Sequence, residues 1–194
     1  MTETNKNILS VDCDFVKDSK SLVELIKFVL QYIDKIEDTH IVISQKHVDI
    51  YYILEPLLKN KKTIDVVSID HHHDLTYPHF PIEKGLASSN WLGYYLMKPN
   101  FIDNAYWLSN YTSDPDAGVK CEDWITITKT FDDIAFDSFD YLFICESPSY
   151  ATNEFSLCAY RILIEIITRL KNKDKFFFMK PTLLNHKYAF NNKP

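Results

Sequence analysis

Glycine is scarce in this chain of 194 residues, with only Gly85, Gly93 and Gly118. That excludes the two commonest phosphate cradles, the GxxxxGK loop and the GxGxxG turn, since both need closely spaced glycines. Cysteine is nearly as sparse: Cys13, Cys121, Cys145 and Cys158 form no CxxC pair, so a zinc knuckle or thioredoxin-like motif lacks its ligands and reduced thiols are expected. No apolar run reaches the roughly 18 residues of a membrane span. The opening Met-Thr-Glu-Thr-Asn-Lys has no signal-peptide hydrophobic region, and a cytoplasmic protein is expected. Basic charge is also in deficit, 21 Lys and Arg against 27 Asp and Glu for a net charge of −6, which argues against a nucleic-acid surface. The one basic run, Lys59-Asn60-Lys61-Lys62, reads as a solvated helix end.

What is present suits a globular enzyme-sized domain. With 46% hydrophobic and 25% charged residues, the chain lies in the ordinary folded range. Its length supports one sizeable core, so residues 1–194 are read as one domain, with Met1 to Asn7 and Asn191 to Pro194 expected to fray. Short apolar runs alternate with longer helical patterns, the sign of an α/β protein with a largely parallel sheet. Strands are predicted at Asn7 to Asp12, Thr39 to Ser44, Thr63 to Ile69, Asn104 to Ser109, Asp123 to Thr128, Asp140 to Cys145 and Lys175 to Lys180. Helices are predicted at Ser19 to Ile36, Val48 to Asn60, Ser88 to Met97 and Asn153 to Asn172. The last has Leu157, Tyr160, Ile164, Ile167 and Leu170 at three- and four-residue spacing, with Thr152 or Asn153 as its cap. Pro56 predicts a kink or break in the second helix.

The densest chemistry lies in Ile69-Asp70-His71-His72-His73-Asp74-Leu75, directly after an apolar strand. In an extended continuation, residues 70, 72 and 74 point the same way, giving a D-x-H-x-D array that is half of a metal site. Two more predicted strands end in metal-capable residues: one runs into Asp12-Cys13-Asp14, another into Gln45-Lys46-His47. Ligands collect at the carboxyl ends of parallel strands, so these exits could converge in one crevice. Asp12, Asp14, His47, Asp70, His72 and Asp74 would then form an oxygen-rich set with some imidazole, suited to a pair of divalent ions such as Mn²⁺. Taken singly, Asp-x-Asp also serves as turn chemistry and His47 as a packed histidine. Clustering that much charge without a cation would be costly.

On these motifs the chain resembles the ureohydrolase superfamily, the arginases and agmatinases. Their binuclear manganese site uses a strand-end histidine, a D-x-H-x-D segment and a D-x-D segment. The order differs here, because Asp12-Cys13-Asp14 opens the chain whereas the D-x-D of arginases lies late. The closer resemblance is to a divergent branch that includes peptide arginases, which act on ribosomally made peptides. That branch has a V-D-C-D-F-like strand, a histidine strand, a D-x-H-x-D strand and an Asn-Trp helix start, matched here by Val11 to Phe15, His47, Asp70 to Asp74 and Ser89-Asn90-Trp91-Leu92. The match covers roughly residues 7 to 150.

The resemblance implies a three-layer α/β/α sandwich holding two Mn²⁺ ions, and hydrolysis of arginine in a peptide to ornithine with release of urea. Phe143-Ile144-Cys145-Glu146-Ser147-Pro148 resembles the arginase segment whose glutamate holds the guanidinium, making Glu146 the expected substrate carboxylate. Its other reading is a helix cap or ion pair. Asp74 or Asp14 is expected to accept a proton, while Asn90 and Trp91 are expected at the substrate, core packing being the other reading for Trp91. The proton-transfer histidine of arginases has no counterpart in Ala87-Ser88-Ser89-Asn90-Trp91; His71, His73 and His79 are the nearby histidines. Hydrolysis of free arginine, of agmatine or of an amide stays open, as does a catalytically idle metal-binding scaffold. The oligomeric state is open too, a homo-oligomer included.

Overall fold

Strands buried on both faces carry apolar residues at nearly every position. Lys6–Asp12 (β1) and Ile64–Ile69 (β3) follow that rule, and pair in parallel from Lys6↔Ile64 to Val11↔Ile69. They form the centre of a sheet completed by Ile41–Ser44 (β2), Ile102–Leu108 (β4), Thr126–Thr128 (β5), Tyr141–Cys145 (β6) and Phe177–Phe178 (β7). The order is β5-β4-β3-β1-β6-β2-β7, with every pair parallel. The computed structural model describes residues 5–79, 81–150, 153–171 and 177–178.

Helices cover both faces. Ser19–Tyr32 (α1) and Glu154–Leu170 (α4) pack Leu25, Phe28, Val29, Leu163 and Ile167 against Leu9 and Val11. On the opposite face Tyr51–Lys59 (α2) and Trp91–Leu96 (α3) pack Ile53, Leu54, Leu57, Trp91 and Tyr95 against Ile8 and Val66. This is the expected three-layer α/β/α sandwich. Side-chain alternation along β1 assigns Leu9 and Val11 to the α1/α4 layer, leaving Ser10 and Asp12 on the α2/α3 face. Sequential strands leave β1 on both of its sides, so a crevice opens at the strands' carboxyl ends.

Local chemistry explains most boundaries. Asp18 caps α1, accepting from the Ser21 backbone N–H at 2.8 Å, and Asn153 caps α4, accepting from that of Ser156 at 2.9 Å. Thr152, the alternative cap, lies outside the described residues. The first helix is shorter than expected, ending at Tyr32 before a 3-10 turn at Ile33–Lys35. Another tight turn, His47–Ile50, precedes α2, which then runs through Pro56 without a break. Pro56 and Tyr52 are both exposed, so water can take the carbonyl bond that the proline cannot make. The fifth strand is three residues rather than six, because Cys121–Asp123 coils into a 3-10 turn. Lys6 and Asn7 do not fray: Asp140 accepts from Lys6 Nζ at 2.7 Å and from the Asn7 backbone N–H at 2.9 Å. Asn5 is held too, its Nδ2 donating to Asp65 at 3.3 Å and to Asp103 at 3.1 Å; the expectations for residues 1–4 and 191–194, and the predicted last strand beyond Phe177–Phe178, lie outside the described residues.

The loop leaving β3 is held by close backbone approach. In α3, a Cβ on Gly93 would lie 2.0 Å from the Leu75 carbonyl oxygen, and the Gly93 N–H donates to the Asp74 carbonyl at 3.1 Å. Gly93→Ala must therefore push α3 off the loop, with an expected loss of about 1–3 kcal/mol of stability. Chemical denaturation measures it; an unchanged midpoint would refute this packing.

Candidate metal centre

Register places the first two ligands side by side. Since Val11 pairs with Ile69, Asp12 and Asp70 leave β1 and β3 abreast, both on the α2/α3 face. Ser10 and Ser68 lie one pleat deeper on β1 and β3, where small side chains leave room for an imidazole. His47 fills that room from the turn after β2, its ring stacked on Phe143 at 5.6 Å between centroids and tilted against Trp91 at 5.1 Å.

The ligand atoms converge. His47 Nδ1 lies 3.2 Å from Asp12 Oδ2, 3.1 Å from Asp70 Oδ2 and 3.0 Å from Asp74 Oδ2. One nitrogen carries at most one proton, so three carboxylates cannot all be satisfied by it. In fact His47 Nδ1, Asp70 Oδ2 and Asp14 Oδ2 are buried without a hydrogen-bond partner. Orphaned buried polar atoms of both kinds, gathered at one point, are what a bound cation resolves. A second group adjoins the first: His72 Nδ1 is 3.2 Å from Asp14 Oδ2 and 3.8 Å from Asp70 Oδ1. Asp12, His47 and Asp70 can hold one metal ion, and Asp14, Asp70 and His72 can hold a metal ion as well. Asp70 belongs to both groups and turns one oxygen toward each.

Surrounding hydrogen bonds orient these donors, as the outer shell of a metal site does. Ser10 Oγ meets His47 Nε2 at 2.9 Å, leaving Nδ1 to face the carboxylates. Trp91 Nε1 donates to Asp74 Oδ2 at 2.7 Å, and the Ser147 hydroxyl donates to Asp12 Oδ2. Backbone N–H groups of Asp14, His71 and His72 donate to Asp12, Asp14 and Asp70 at 3.2, 3.3 and 2.8 Å. Asp74 and Ser147 have φ of 51° and 47°, a left-handed conformation costly for residues with a Cβ and concentrated at functional sites.

Burial and mutual repulsion shape the electrostatics. Desolvation, reinforced by Asp74, Asp14 and Asp12, pushes the Asp70 carboxyl well above the ordinary 3.8. Asp12 is raised by desolvation and by Asp14. Desolvation also acts on Asp14, but His72 outweighs it and holds that carboxyl below 3.8. Burial alone would lower His47, yet Asp12, Asp70 and Asp74 raise it well above 6.5.

An open cavity of about 240 Å³ lies over the cluster. Asp12, His47, Asp70, His72 and Asp74 line it from within, with Tyr77, His79, Ser88, Ser89, Ser147 and Tyr150 around them. The residues expected at a substrate lie elsewhere. Trp91 is fully buried, its indole committed to Asp74. Asn90 is buried too, accepting from the Ala87 N–H at 2.7 Å and donating to the Gly85 carbonyl at 2.9 Å, so it braces the loop before α3. Glu146 does not line the cavity: its Oε2 accepts from Gln45 Nε2 at 2.9 Å. The reason is parity. Phe143 and Cys145 pack in the α2/α3 layer, so Ser147, not Glu146, continues that face into the site. His73 is buried, its Nε2 2.7 Å from the Ala117 carbonyl oxygen and its Nδ1 accepting from the Leu75 N–H, while His71 leans on Asn110. Of the three nearby histidines only His79 reaches the cavity. The sequence reading missed Ser10, Ser147, Tyr77 and Tyr150; the first two could have been found by counting alternate positions from Asp12 and Cys145.

No family model matches the chain, and neither curated proteins nor solved structures give a significant match.

Two outcomes check the centre. Trp91→Phe keeps the ring but removes the Asp74 donor, so divalent-ion affinity should fall roughly 10- to 100-fold; titration calorimetry reads it, and unchanged affinity would remove the indole's orienting role. The second concerns pH. Groups raised on folding contribute stability fully present below their ordinary values, 3.8 for Asp12 and Asp70 and 6.5 for His47, and lost as pH climbs through the raised ones. Asp14, lowered on folding, contributes the opposite way, above 3.8 and lost in acid. Metal needs the deprotonated ligands, so added Mn²⁺ should raise Tm far more at about pH 8 than at about pH 5. An increment independent of pH would contradict the ligand set.

Proposed function

We propose that this protein is a binuclear divalent-metal hydrolase, Mn²⁺-dependent, that converts arginine side chains of a peptide to ornithine and releases urea. The observation that carries the proposal is the convergence of Asp12, Asp14, His47, Asp70, His72 and Asp74 at three strand ends, with ligand atoms left orphaned in the interior. Four carboxylates offset the charge of two divalent cations, and the oxygen-rich donor set fits hard or borderline ions. When bound, such ions supply a water nucleophile activated near neutral pH. Asp74, on the cavity wall, would be the proton acceptor for such chemistry, and Asp14, off the wall, would serve as a ligand. The arginine-peptide substrate comes from the resemblance to peptide arginases. A cavity of about 240 Å³ suits it, since roughly 300–1,000 Å³ is usual for whole small molecules and a protruding side chain needs less.

A second reading is an amide hydrolase built on the same centre. It is favoured by the position of Glu146 outside the cavity, which removes the carboxylate expected to select a guanidinium. Reducing cytoplasm is the proposed setting: all four cysteines are unpaired, and among the described residues no helix is long and apolar enough to cross a membrane.

Incubating the Mn²⁺-loaded protein with an arginine peptide should give a mass loss of about 42 Da per converted arginine, the balance of urea release after water addition. Asp70→Asn, which weakens both metal groups, should abolish the product and lower bound metal. Turnover of an acetyl-lysine peptide but not of an arginine peptide would replace the proposal with the amide reading, and full metal content without either product would leave a scaffold.

A further inference from the structure

The walls of the cavity carry a consequence for substrate recognition. Among the described residues, the carboxylates that line it are Asp12, Asp70 and Asp74, all of them in the ligand cluster. A cationic side chain entering there meets no further acid. It meets hydroxyls and rings, and the most prominent ring is Tyr150, 50% exposed at the rim. Its position is fixed by the turn after β6. Ser147, in its left-handed conformation, sends its hydroxyl to Asp12, and its carbonyl accepts from the Tyr150 N–H at 2.8 Å. The same turn sets the Tyr150 ring edge-on to His72, with centroids 5.1 Å apart.

We propose that Tyr150 is the specificity-determining residue for the guanidinium, whose planar cation stacks on the phenol ring at the cavity rim instead of pairing with Glu146. This rests on the arginine-peptide reading above. Guanidinium suits such a contact better than ammonium: it is planar, delocalised and weakly hydrated, and it stacks on aromatic faces at small desolvation cost. A neutral clamp also fits the charge balance of the centre, since it holds the cation without adding a carboxylate that would compete for metal.

The test compares the metal-loaded parent with Tyr150→Ala and Tyr150→Phe on an arginine peptide and its lysine counterpart. Tyr150→Ala should raise KM for the arginine peptide roughly fivefold or more, with kcat and metal content near the parent's. Tyr150→Phe keeps the ring face and should restore KM to within about twofold. An unchanged KM in Tyr150→Ala overturns the proposal. So does a Glu146→Gln variant that alone loses affinity for arginine. If the parent releases no urea, the reaction assignment has failed, and calorimetric binding then judges Tyr150. Tighter binding of the arginine peptide than of the lysine peptide, a preference lost in Tyr150→Ala, supports the stacking role, and equal binding of the two overturns it.

Discussion

Four carboxylates and two imidazoles drawn into one largely buried space set the terms for everything around them. Left alone, Asp12, Asp14, Asp70 and Asp74 repel one another, and desolvation makes ionisation of Asp12 and Asp70 harder still. His47 relieves part of this by lying about 3 Å from three of them, but a single imidazole proton cannot serve three acceptors. A cation bound among them would relieve the remaining repulsion, and the layers around the cluster have to hold it together.

That stability comes from the two apolar layers. The central strands β1, β3 and β6 are covered on both faces by apolar side chains. Parallel register then places Asp12, Asp70 and the end of β6 on one line. Less regular segments are pinned where they carry ligands: the loop after β3 meets α3 at Gly93, and Trp91 of the same helix holds Asp74. One short helix thus fixes both the backbone and the side chain of a ligand at left-handed φ.

The ligand set was legible in the sequence because its signals are periodic and local. An apolar run followed by Asp-x-His-x-Asp states both a strand exit and a shared face, and Asp12-Cys13-Asp14 states it again. The cavity walls were less legible, and Glu146 shows why. Motif likeness drew attention to the charged residue, whereas strand alternation hands the site-facing position to its neighbour Ser147. The two differ by one residue, which in a β-strand is the difference between faces. Trp91 illustrates another limit: an indole beside a motif can touch a substrate or hold a ligand, and only tertiary placement decides. Tyr150 had no local signal at all, because a turn after a strand brings it to the cavity from outside any periodic pattern. Boundaries shifted for similar reasons, tight turns at Ile33–Lys35, His47–Ile50 and Cys121–Asp123 taking residues that propensity assigned to helix or strand.

Asp74 and Ser147 lie on opposite sides of the cluster, each in a strained backbone conformation and each tied to it by a hydrogen-bonded side chain. Strain of this kind persists only where neighbouring packing over-determines it. Here the neighbours are α3 for Asp74 and, for Ser147, the Tyr150 N–H that its carbonyl accepts from and the Asp12 carboxylate that its hydroxyl reaches. The donor atoms converge because these neighbours fix the backbone that carries them. A cation bound there would compete with protons for the same carboxylates and imidazoles. The apolar layers on both faces of the sheet thus carry the fold, and the buried Asp and His groups that could hold a metal ion are seated at its strand ends.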